Sequence, residues 1–248
     1  MIISQSKGFI FIHIHKCAGT SIEEALASHL SYNDILLGST PSGERFNANW
    51  SKLLVSRSGG IIKKHSTARE IKDFLWTHAW GGYFKFTVVR HPVSRLLSFY
   101  NFLCEVLKPY HDLTDLSGEE KNDLRSHNLL PDRTPFTEKS IFQWPGIKAL
   151  LLSPCFDGVL EEKSFWKDPA TRPQAESVTD KQGKIILDFI GKIEELGSFK
   201  SNIESRLDIQ LNLKHLNKSH PTRKLDLSRD IIRLIEKKYE SDYEMFSY

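Results

Sequence analysis

The chain has 248 residues, 40% of them hydrophobic and 26% charged, with a formal net charge of +3 and an isoelectric point near 8.6. This is an ordinary soluble composition with room for one large domain, and it excludes a fibrous or disordered chain. The mild basicity suits an anionic ligand but is too small to indicate nucleic acid by itself. Three widely spaced cysteines, Cys17, Cys104 and Cys155, form no disulfide framework or zinc ribbon and suit a reducing compartment. No apolar run approaches the roughly 18 residues of a membrane span. The opening "MIISQSKG" lacks the order of a signal peptide, so the chain as it stands reads as cytoplasmic.

In chain order, "FIFIHIH" (9–15) predicts a strand buried on both faces, as in a parallel sheet. A small-residue turn, "KCAGTS" (16–21), leads into a helix. Thr20 or Ser21 suits its cap, and Glu23 and Glu24 suit its first turn, where the dipole favours acids. "FNANWSKLLVSR" (46–57) has helical spacing, Gly59 and Gly60 break it, and "IIKKHS" follows as a short extended piece. "STAREIKDFLW" (66–76) predicts a helix capped by Ser66, with Glu70 one residue late for a capping box. "YFKFTVVR" (83–90) is a second buried strand, and Pro92 opens the helix after it.

Residues 108–135 are polar and broken by Pro109, Gly118 and Pro131, which predicts a long loop with one helical piece. "GKIILDFIGKIEEL" supplies a third strand at 184–190, and "DLSRDIIRLIEKKYESDYEMF" a C-terminal amphipathic helix started by Asp226 or Ser228. Strands alternating with helices predict a single α/β domain over 1–248. Its expected form is a three-layer, P-loop-like fold with a central, mainly parallel sheet flanked by helices.

Three stretches carry candidate chemistry. In "HKCAGTS" a lysine at the strand end precedes Gly19, Thr20 and Ser21, a layout that gathers backbone amides around a phosphate or sulfate. It also fits an ordinary strand-to-helix turn with a surface lysine. In "FTVVRHPVSRLLSFY", Arg90 ends a strand where ligands of open α/β sheets bind, and its planar fork suits a phosphate. Ser98 follows on the helix. Arg90 meeting a local carboxylate, with Ser98 as a packing residue, would read the same. In "KKHSTAREI", His65 precedes a helix, and histidine is the side chain suited to taking a hydroxyl proton near neutral pH. It is also one of ten histidines. His13 and His15 share a strand face without nearby carboxylates, which is a poor metal site.

Together, "FIHIHKCAGTSIEEAL", "KKHSTAREI" and "FKFTVVRHPVSRLLSFYNF" resemble in order and spacing the family 2 sulfotransferases. "RPQAESVTD", "LKHLNKSH" and "YESDYEMFSY" extend the resemblance over nearly the whole chain. It implies a transferase that uses 3'-phosphoadenosine 5'-phosphosulfate (PAPS), releases the desulfated product PAP, and needs no metal. Lys16, Cys17, Ala18, Gly19, Thr20 and Ser21 would hold the 5'-phosphosulfate, with Lys16 also stabilising the leaving oxygen. Arg90 and Ser98 would hold the 3'-phosphate, Lys218 and Ser219 would close over the nucleotide, and His65 would be the general base. Gln174 would contact the acceptor, a hydroxyl of a carbohydrate, glycolipid or small metabolite. The usual Pro-Lys-Thr is here His15-Lys16-Cys17, which frees φ before the lysine. Cys17, beside a lysine and a helix start, is either readily oxidised or an inert loop residue. A P-loop nucleotide kinase and a polyanion- or nucleic-acid-binding module without catalysis are the alternatives. The kinase lacks a Walker-type loop here.

Overall fold

The computed structural model describes residues 1–38, 40–43, 45, 54, 59–75, 77–108, 141–213 and 227–248. In chain order the elements are β1 (Ile2–Ser4), β2 (Phe9–Phe11), α1 (Gly19–Ala27), β3 (Ile35–Leu36), α2 (Ala68–Phe74), α3 (Thr77–Gly82), β4 (Phe84–Val89) and α4 (Pro92–Leu107). They continue with α5 (Pro145–Leu152), α6 (Phe156–Glu161), α7 (Ala175–Val178), β5 (Phe189–Lys192), α8 (Leu196–Leu207), α9 (Arg229–Lys238) and α10 (Glu240–Phe246). Of the expected helix at 46–57 all but residue 54, and of the expected loop at 108–135 all but residue 108, lie outside the described residues. Two compact units emerge: 1–91 with 173–218 and 240–248, and 92–172 with 219–239.

The first unit holds a five-stranded sheet of order β3-β1-β2-β4-β5. β2, β4 and β5 run parallel, but β1 is antiparallel to both β2 and β3. The sheet is therefore mixed, which corrects the expectation of a mainly parallel one. The cause is a short N-terminal hairpin, β1 to β2, whose connection ends at Gly8 with φ 66°, a backbone region glycine enters at little cost. β2 is shorter than its apolar run, although the Ile12 amide still donates to the Phe86 carbonyl. β5 begins five residues later than its expected start. Ile185 instead bridges Thr179, and Asp188 pairs with Lys85, its carboxylate meeting both the Lys85 amide and ammonium at 2.8 Å.

Parallel register sets Phe9 beside Phe84, Phe11 beside Phe86, and Phe86 beside Phe189. Side chains two apart on a strand share a face, so these phenylalanines form one layer. The Phe86 ring lies 5.7 Å from Phe9, 5.4 Å from Phe11 and 6.2 Å from Phe199 of α8. α8 approaches β5 so closely that a Cβ on Gly191 would sit 2.5 Å from the Phe199 ring.

α2 shows how local chemistry fixes a boundary. Its cap is Thr67 rather than Ser66, which places Glu70 at the third helical position and completes the capping box. Ser66 instead closes a turn, its hydroxyl accepting from the Lys63 amide at 3.0 Å.

In the second unit, α4 starts at Pro92 as expected. Arg95 is buried and donates to the carbonyls of Ala170 and Arg172 at 2.8 and 2.6 Å, with Tyr239 over its guanidinium. The expected single C-terminal helix is two, α9 capped by Ser228 and α10, divided at Tyr239. Tyr239 is completely buried and donates its hydroxyl to the Thr171 carbonyl. No helix among the described residues is long and apolar enough to cross a membrane.

Phe86 has no exposed surface and centres the phenylalanine layer. Phe86→Ala is expected to lower the unfolding free energy by ~3–5 kcal/mol in urea titrations. A loss below ~1 kcal/mol would mean that the layer does not support the sheet.

Candidate functional site

The parallel pairing of β2 and β4 delivers two chain segments to the same end of the sheet. The first is the turn His15–Gly19. Lys16 and Ala18 have φ of 63° and 57°, left-handed values that cost an L-residue about 1–2 kcal/mol each. Turns of this kind aim amide groups into an anion-sized concavity. α1 then begins at Gly19, two or three residues earlier than a Thr20 or Ser21 cap would start it. Ala18 is the cap residue, without any side-chain capping bond. Its carbonyl accepts from the amides of Ser21 at 3.0 Å and Ile22 at 3.2 Å. Thr20 and Ser21 lie half-buried in the first turn, so both hydroxyls stand beside the positive end of the helix dipole.

Gly19 answers a packing demand. A Cβ there would lie 2.2 Å from Cδ2 of His13, so the imidazole of His13 is seated directly against the helix start. His13 is buried, and its Nδ1 meets Glu23 Oε1 at 2.6 Å. Because a carboxylate accepts, Nδ1 carries the proton. Burial and nearby positive charges keep the ring neutral, with its pKa well below the ordinary value. Glu23 also accepts from the amino group of Met1. The expected helix had Glu23 and Glu24 in its first turn; the earlier start at Gly19 leaves no acid there, and Glu23 is buried. Gly19, Ile22, Glu23 and Leu26 follow helical i, i+3, i+4, i+7 spacing, so an acid within the apolar stripe was the signal that marked this partner.

The second segment is the end of β4. Arg90 directly follows the strand, and its Nη1 donates to the Lys16 carbonyl at 3.4 Å. The two cations expected at opposite ends of one ligand therefore share a locality. Lys16 is half-buried, and burial, followed by repulsion from Arg90, pulls its pKa down to about 8. Ser98 belongs to the second unit, half-buried on α4.

The Lys63–Ser66 turn brings in His65. Its ring stacks on His15 with centroids 3.4 Å apart and an interplanar angle of 22°, and meets His13 edge-on at 4.6 Å. Nδ1 of His65 lies 2.9 Å from the His13 carbonyl. A carbonyl only accepts, so Nδ1 holds the proton and Nε2 keeps a lone pair, the tautomer a general base needs. Burial lowers the pKa of His65 to about 4.

Cys17 is fully buried, and its thiol faces the His15 carbonyl at 3.4 Å and Gln174 Oε1 at 3.1 Å. That supports the packing role over the oxidation-prone one. Gln174, expected at the acceptor, has no exposed surface and bonds instead to Cys17 and to the backbone of Arg90. Lys218 and Ser219 lie outside the described residues. Among the described residues, no group of three or more His, Cys, Asp or Glu side chains is arranged to hold a metal ion.

A family model described as the sulfotransferase family, family 2, matches residues 1–248. Among curated proteins and solved structures, none matches the chain.

The unfolded chain protonates His65 near 6.5 and the folded chain near 4. Between those values the native state binds fewer protons, so the stability gained by burying the neutral ring is lost as pH falls across that window. NMR titration of the His65 ring is expected to show a midpoint near 4. A midpoint at or above the ordinary histidine value would contradict the buried, neutral tautomer.

Proposed function

The chain belongs to the sulfotransferase family, a family of transferases, and from that premise we propose that it moves the sulfuryl group of PAPS to an acceptor hydroxyl by in-line displacement. The observation that carries this reading is the Arg90 guanidinium donating to the carbonyl of Lys16. Two cations from separate motifs converge on a left-handed turn and a helix start. Burial first, and then repulsion from Arg90, lowers the pKa of Lys16, and a bound anion would relieve the repulsion. Of the readings the sequence left open, the match over the full chain favours the transferase over the kinase and the polyanion-binding module.

When bound, PAPS supplies the sulfuryl group on a phosphate leaving group. The turn 16–21 would hold its 5' end through amides and the hydroxyls of Thr20 and Ser21, with the α1 dipole adding positive potential. Lys16 would stabilise negative charge gathering on the leaving oxygen, and losing such a donor commonly costs ~10²–10³ in rate. Arg90 would bind the 3'-phosphate. Ser98, Lys218 and Ser219 join the donor site on the resemblance alone. His65, with Nε2 unprotonated, would take the acceptor proton, which then rests on an imidazolium whose Nδ1–H stays bonded to the His13 carbonyl. A ring that titrates near 4 is by itself a weak base, and a neighbouring anion raises its basicity. The acceptor is a hydroxyl compound, and a carbohydrate, glycolipid or small metabolite is the class proposed.

Transfer assays with labelled PAPS and hydroxylated acceptors test the reading, and calorimetry with PAP in metal-free buffer tests donor recognition. Arg90→Ala is expected to raise KM for PAPS by ~10- to 100-fold, as befits losing hydrogen bonds to a charged group. An unchanged KM would remove the 3'-phosphate assignment. His65→Ala is expected to lower kcat by ~10²–10⁴ while PAP affinity stays as in the wild type. Parallel losses of binding and turnover would make His65 structural.

A further inference from the structure

Among the described residues near the site, Gln174 is a strongly engaged polar side chain that this chemistry leaves without a role. Its carboxamide has two N–H donors and two acceptor lone pairs, and all four are occupied. Oε1 accepts from the Arg90 amide at 2.9 Å and from the Cys17 thiol at 3.1 Å. Nε2 donates to the Arg90 carbonyl at 2.8 Å and to Asp242 Oδ2 at 3.0 Å. The orientation admits no flip, because a carboxylate and a carbonyl only accept and the Arg90 N–H only donates.

Asp242 of α10 is itself fully buried. Its Oδ2 also accepts from the Gln174 amide at 3.0 Å, and Oδ1 accepts from the Ala175 amide at 2.8 Å. Residue 174 is thus anchored at both backbone and side chain before it reaches Arg90. Arg90 stands just beyond the last residue of β4, where the ladder to β5 has ended. Gln174 bonds both the N–H and the C=O of Arg90, as a neighbouring strand would. Through Cys17 the same side chain reaches the turn that carries Lys16.

We infer that Gln174 is a positioning residue for the donor site, a clip that fixes the separation between the Lys16 turn and the Arg90 guanidinium and so sets the preference for a nucleotide bearing a 3'-phosphate. This rests on the donor reading above. The amide touches neither donor nor acceptor and acts through the two elements it joins. Without it, the residue at the end of β4 keeps its charge but loses the backbone anchor that aims that charge.

The test compares affinities for PAP and for adenosine 5'-phosphate, which lacks the 3'-phosphate, by calorimetry. The wild type is expected to prefer PAP by ~10-fold or more, the range of a hydrogen bond to a charged group. Gln174→Met, similar in shape but without an amide, is expected to reduce that preference by about tenfold while adenosine 5'-phosphate binding changes little. Partial unfolding would instead weaken both ligands equally and leave the ratio unchanged. Circular dichroism melting establishes that the variant is folded at the assay temperature. Where Gln174→Met does not fold, Cys17→Ala cuts only the arm to the turn and is expected to lower the ratio about threefold, with Cys17→Ser, which keeps a donor, restoring it. An unchanged ratio in a folded variant overturns the clip. A wild type with no preference for PAP overturns the donor reading itself.

Discussion

Parallel pairing of β2 with β4 is the constraint on which the site depends. Both strands run the same way, so the residues following each arrive at the same end of the sheet, the Lys16 turn from one and Arg90 from the other. An antiparallel arrangement would have put them a strand's length apart. The register of Phe9 on Phe84 and Phe11 on Phe86 enforces the alignment. A slip of one residue would turn the phenylalanine layer to the opposite face.

That rigid layer supports a neighbourhood with several features unfavourable on their own. Two residues of the turn are left-handed without being glycine, Lys16 is half-buried beside a second cation, and His13 and His65 are held below their ordinary pKa by burial. Strain and desolvation of this kind persist only where the surroundings over-determine them. The buried Glu23 beside His13, and the carbonyl of His13 beside His65, link the packing of α1 to the orientation of the His65 ring.

Much of this was legible in the residues. The apolar run into Lys16, the run into Arg90 and Pro92 after it each read as what they are, because buried strands and helix starts carry local signals. The failures come where short elements or tertiary partners, rather than the local pattern, decide the structure. β1 and β3 have three and two residues, too few to show a period, so the antiparallel hairpin went unseen and the sheet looked parallel. The cap at 67 was misplaced because Ser66 and Thr67 have the same capping chemistry, and a turn bond from Lys63 decides between them. The apolar run 185–190 continues into β5, but the Thr179–Ile185 bridge and the Lys85–Asp188 pair engage its first residues before the strand begins. The burial of Gln174 has no local signal, because its partners Arg90 and Asp242 stand 84 and 68 positions away.

The imidazole of His13 lies where the first side-chain carbon of residue 19 would otherwise go. These two sites therefore divide one fixed volume, and a ring at the first obliges the absence of any substituent at the second. Among chains sharing this architecture, size at one site should fall as size at the other rises, so that a lineage replacing the ring with something small becomes free to carry alanine or serine at the head of the helix.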